Sequence, residues 1–173
     1  AKRRKPKIVV AANPTRNGDP SVSDMEAAVW TVLRDPDVVK AFPEAAKVRS
    51  VKINDGGGAR RAFCHAPTYG KCEFTFPLWS RVDSTLLHEV AHALSQLHYG
   101  RQIAWHGWEY AATMLVLVRI RYGVESARAL EASYRRGGVR FKAKRVMTPA
   151  QRAAAQVGIE RMRAANEAKA AGL

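Results

Sequence analysis

The stretch HEVAHALSQLHYGRQIAWHGWEY, residues 88–110, decides how this chain is read. It opens with His88-Glu-Val-Ala-His92. A helix turns about 100° per residue, so positions four apart share a face. His88 and His92 therefore present two imidazoles one turn apart, with Glu89 beside the first. Two imidazoles at this spacing suit a zinc ion, and the adjacent carboxylate suits a general base acting on water. The surrounding pattern agrees with a helix. Asp83 or Ser84 supplies a cap, Leu86, Leu87, Val90, Ala91 and Leu94 form an apolar face, and Gly100 follows the last turn. The competing reading is a helix whose histidines are merely satisfied in the core.

A catalytic zinc takes three protein ligands and keeps one position open. Three residues compete for the third place. His98 stands six residues after His92, but Ser95 occupies the position where a glycine would turn the chain. In a continuous helix His98 then falls roughly 120° off the metal face, and a helix C-terminus suits its positive form. His106 lies beyond Gly100, in a loop before the next helix, and approaches from a new direction. Glu109 is the rival, either as ligand or as a hydrogen-bond partner of one. His106 is the favoured candidate.

The rest of the chain predicts an α+β domain. Ser23-Asp-Met-Glu26 reads as a capping box for a helix over about 24–34. Pro36 and Pro43 bracket a short helical turn. Residues 8–12, 48–53, 60–65 and 71–76 read as strands, the last three as an antiparallel meander. Residues 71–76 are expected to be the edge that pairs with an extended substrate. A second long helix is predicted over about 107–122, a shorter one over 125–135, a basic strand or arm over 139–146, and a tail helix over about 149–170.

Charge divides the chain. Lys and Arg number 29 against 15 acids, a net charge of +14. Residues 1–7 carry five of them, Lys2, Arg3, Arg4, Lys5 and Lys7, with no acid. Residues 135–173 carry ten against two acids, among them Arg135, Arg136, Arg140, Lys142, Lys144 and Arg145. The span 8–134 is nearly balanced, with fourteen against thirteen. This gives three parts: a basic N-terminal arm (1–7), a body (8–134), and a basic C-terminal arm with a tail helix (135–173). Such arms bind DNA or RNA through phosphate contacts; the plainer reading is that they aid solubility. The two cysteines, Cys64 and Cys72, are too few for a disulfide framework. With His65 they form an incomplete metal set, and reduced thiols are the default. No apolar run is long enough for a signal core or a membrane span, so the expected setting is cytoplasmic, or within a phage particle or nucleoprotein assembly. Trp105 and Trp108 flank His106 and either pack the loop or grip a ligand.

At this point a resemblance enters. HEVAHAL, with thirteen residues between His92 and the His106 that opens HGWEY, resembles the SprT-like zinc metallopeptidases over about residues 24–122. Their pattern is an H-E-x-x-H helix, a loop, and a third His in an H-G-x-x-F/Y setting. The resemblance implies a zincin-like fold: a small antiparallel sheet packed on the active-site helix and a following long helix. It implies His88, His92 and His106 as Zn2+ ligands, Glu89 as base, and a peptide or protein as substrate. Tyr110 and Arg81 are candidates for a second donor to the oxyanion. Eukaryotic members act on proteins crosslinked to DNA, and compact members occur in bacteria and phages. These 173 residues hold no paired-Cys zinc ribbon of the kind many members carry. The expectation is a zinc-dependent endopeptidase working near nucleic acid. Its rival is a non-catalytic nucleic-acid-binding or phage structural component that keeps the fold.

Overall fold

The computed structural model describes residues 19–68 and 70–142. Its first helix, α1 (Val22–Leu33), begins at Ser21. The Ser21 hydroxyl accepts the Asp24 amide at 3.1 Å, and the Asp24 carboxylate accepts the Ser21 amide at 2.8 Å. The capping box thus falls two residues earlier than Ser23–Glu26. The earlier start adds Val22, which packs against the core beside buried Met25, Val29 and Leu33. Pro36 opens a short helix, α2 (Pro36–Ala41), and Pro43 opens a 3-10 turn (Pro43–Lys47). Proline suits both starts because the first helical amides need no partner.

Three strands follow: β1 (Ser50–Asn54), β2 (Phe63–Thr68) and β3 (Lys71–Thr75). Their order is β1-β3-β2, with β3 parallel to β1 and antiparallel to β2. The sheet is therefore mixed, and the expected antiparallel meander is corrected. The connection over residues 55–62 is long enough to carry β2 past the place that β3 then fills. Val51, Ile53, Cys64, Cys72 and Phe74 turn inward. Lys52 pairs with Glu73 at 3.0 Å on the outer face.

The correction matters for the site. β3 is central, so both its edges are taken. β2 is an edge strand, and its pairing is interrupted between His65 and Thr68, where Pro67 sits. Proline cannot donate to a ladder and belongs on such an edge.

Helix α3 (Asp83–Tyr99) runs through the core, with Leu86, Leu87, Val90, Ala91 and Leu94 buried. Its cap position is Val82, which has no capping side chain. Asp83 instead sits in the first turn and binds Arg121 and Tyr122. Gly100 ends the helix at φ +95°. After a loop, α4 (Trp108–Tyr122) folds back along α3, so Tyr122 at its end meets Asp83 at the start of α3. Helix α5 (Val124–Arg136) lies outermost, with no buried residue.

The described residues belong to one compact unit, which ends at Lys142. The expected strand at 8–12 and the tail helix at 149–170 lie outside the described residues. So do Lys2, Arg3, Arg4, Lys5, Lys7, Lys144 and Arg145. Among the described residues no helix is long and apolar enough to cross a membrane.

Candidate metal centre

His88 and His92 come from consecutive turns of α3, and His106 comes from the end of the α3–α4 loop. The Nε2 atoms of His88 and His92 are 3.2 Å apart, and those of His106 and His88 are 3.5 Å apart. One donor atom from each of the three lies within 4.8 Å of the others. Two nitrogens about 2.0–2.1 Å from one tetrahedral ion stand about 3.3 Å apart, so the two short separations fit a shared ion. Three histidines close together can bind a metal ion, and no other such group occurs among the described residues.

The protonation states agree. Burial pushes the His92 imidazole down to about 4, and the neighbouring His88 and His106 push the same way. Burial, then His106, lowers His88. These two rings stay neutral near pH 7 and keep a lone pair for a metal.

The far sides of the rings are also held. Tyr110 Oη lies 2.6 Å from His88 Nδ1. Its ring stacks on His92 with centroids 4.3 Å apart. Tyr110 is buried, and burial keeps its phenol protonated. The Trp105 backbone forms a hydrogen bond with His92 that favours the protonated ring, which makes a ring N–H the donor and the carbonyl the acceptor. Each α3 histidine thus has a partner that fixes its plane, as metal-binding imidazoles require.

Glu89 is 4% exposed and lines the same cleft as the three histidines. Burial pushes its carboxyl up to about 7, while a backbone hydrogen bond at Cys64 opposes the shift. That bond ties β2 to α3. The cleft has a volume of about 970 Å³, and one wall is formed by residues 61–65, which lead into the first half of β2.

The other candidates fall elsewhere. His98 pairs with Glu44 at 3.0 Å and stands edge-on to Phe42, away from the cluster. The Glu109 carboxylate folds over Gly107, where an added Cβ would meet Oε2 at 2.6 Å, and it is not in the donor group. Arg81 is buried and donates to the Phe76 and Pro20 carbonyls and to Asp55, so it supplies no donor to the cleft. Tyr110 lies behind His88 and does not line the cleft. Cys64 and Cys72 are buried thiols, and burial raises both, Cys72 to about 11. His65 lies 3.4 Å from Thr75, and the three make no metal group. Trp108 packs edge-on to Tyr99, whereas Trp105 lines the cleft and stands edge-on to His92.

Arg135 pairs with Glu131 and lies 5.6 Å over the Phe141 ring, which Lys142 approaches at 5.7 Å. Arg136 and Arg140 are exposed. Sequence reasoning missed the Trp105 carbonyl, the Cys64 backbone contact and β2 as the cleft wall. None carries a side-chain pattern. The place of Tyr110 in the first turn of the helix that follows His106 was the available signal for its contact with the cluster.

Compared with models of protein families, with curated proteins and with solved structures, the chain matches none.

Proposed function

We propose that the chain is a zinc-dependent endopeptidase of SprT-like, zincin-like type. One observation carries the reading: three histidine Nε2 atoms converge beside a buried glutamate in an open cleft walled by a strand edge. His88, His92 and His106 would hold the ion. When bound, zinc supplies Lewis-acid polarisation of a carbonyl and acidifies water. Glu89 takes the proton from the attacking water on its carboxylate and passes it to the leaving amine. β2 is an edge strand, and an extended substrate would pair along its outer edge, beside the Cys64 backbone that is already bonded to Glu89. Pro67 ends that ladder, which sets the substrate's length of pairing near the metal.

The nucleic-acid side of the reading rests on charge. Arg135, Arg136, Arg140 and Lys142 gather near the end of α5, and the two arms extend the same sign. In the rival reading, these groups alone do the work and the metal is structural.

The test combines metal content with cleavage of an unfolded protein such as casein. Wild type should hold about one zinc per chain, His106→Ala should lose most of it, and Glu89→Gln should keep it and lose cleavage. Casein cleavage by Glu89→Gln equal to wild type would sink the catalytic role.

A further inference from the structure

We infer that the cleft selects an extended peptide carrying a bulky apolar side chain beside the scissile bond, and rejects basic ones. The inference rests on the peptidase reading and adds its specificity. Exposed large apolar groups on a soluble surface signal recognition when they gather in one place. Five large aromatics are exposed among the described residues, and three of them line this one cleft: Phe63, Trp79 and Trp105. Their exposures are 41%, 64% and 51%. Trp105 stands edge-on to the ligand His92, with centroids 5.2 Å apart. A side chain resting on it therefore belongs to a residue next to the bond under attack. Trp79 is held in place by its indole N–H, which donates to the Ala59 carbonyl at 3.2 Å. Phe63 lies on the edge strand itself, so main-chain pairing and side-chain contact come from one element.

Charge points the same way. Among the described residues, the only carboxylate lining the cleft is buried Glu89, and the only Lys or Arg is Arg61. A lysine or arginine side chain would find no exposed acid there and would meet a like charge. An apolar side chain would release water from three aromatic faces. The position of β2 at the sheet edge favours an extended main chain as occupant over a nucleobase, which brings no strand to pair.

The experiment uses the zinc-loaded full chain and quenched fluorescent peptides of Gly, Ser and Ala. One residue is changed to Phe, Leu, Ala or Lys and walked through the sequence. At one position beside the cut, Phe and Leu should raise kcat/KM about tenfold or more over Ala, with Lys below Ala. The Phe-to-Ala ratio should fall at least about threefold in Trp105→Ala and in Trp79→Ala. This ratio does not depend on how much total activity a variant keeps, and the exposed Trp79 gives a variant whose fold is not at stake. Preference for Lys or Ala, or an unchanged ratio in both variants, overturns the inference and leaves the peptidase reading standing. A single-stranded oligonucleotide that blocks cleavage in wild type but not in Trp105→Ala would show that the aromatics stack bases, which also overturns it. No cleavage of any peptide at one zinc per chain overturns both readings.

Discussion

Tyr110 shows what one hydroxyl can do beside a candidate metal site. If His88 Nε2 holds an ion, Nδ1 carries the proton and donates it to Tyr110 Oη, 2.6 Å away. That bond would fix the ring plane and raise the basicity of the coordinating nitrogen. Tyr110→Phe keeps the stack on His92 and removes only the acceptor. Zinc affinity should then fall about tenfold or more, read by competition with a chromogenic chelator, while circular dichroism of the metal-free protein stays the same. Equal affinity would reduce Tyr110 to a packing residue. His88 and His92 were legible from their spacing alone, because helical geometry dictates that residues four apart meet. His106 was legible from the break at Gly100, because only a ligand outside the helix approaches from a new side. The aim of the Tyr110 hydroxyl was not legible. It depends on how α4 rotates against α3, which no local pattern encodes.

At the scale of elements, alternation of apolar residues tells which face of a strand is buried and says nothing of its neighbour. Val51 and Ile53 turn inward as Cys72 and Phe74 do, and that pattern suits parallel and antiparallel pairing alike. Strand order was therefore beyond the sequence, and with it the identity of the open edge. One glycine helps to hold the order observed. Gly70, at φ +79°, receives the Arg49 amide on its carbonyl at 2.7 Å. An added Cβ there would stand 2.7 Å from the Lys47 carbonyl oxygen. Gly138 also has a positive φ, +66°, but nothing lies within 4 Å of its Cβ position. Gly70→Ala should cost about 2–4 kcal/mol, combining backbone strain with a clash against main chain. Gly138→Ala should cost about 1–2 kcal/mol from strain alone. Urea midpoints of the two variants against wild type check the order, and equal costs would remove the contact with Lys47 from the account.

For the whole molecule, the contrast is between a nearly neutral body and basic ends. Removing residues 1–7 and 140–173 takes away thirteen Lys and Arg and two acids, which lowers the net charge from +14 to +3. If the arms hold phosphates, each lost contact should lessen the slope of log affinity against log salt by about 0.9 on duplex DNA. We expect the truncated chain to bind a short duplex at least about a hundredfold more weakly at low salt, with a flatter slope. Fluorescence anisotropy across a salt series measures both. Cleavage of a short uncharged peptide should persist, because the three histidines and Glu89 sit on α3 and the loop after it, within the body. Loss of binding with retained cleavage would assign the arms to delivery, bringing a protease of broad apolar preference to proteins that sit on nucleic acid. Unchanged affinity would return the arms to a role in solubility. The selectivity would then lie wholly in the aromatic cleft.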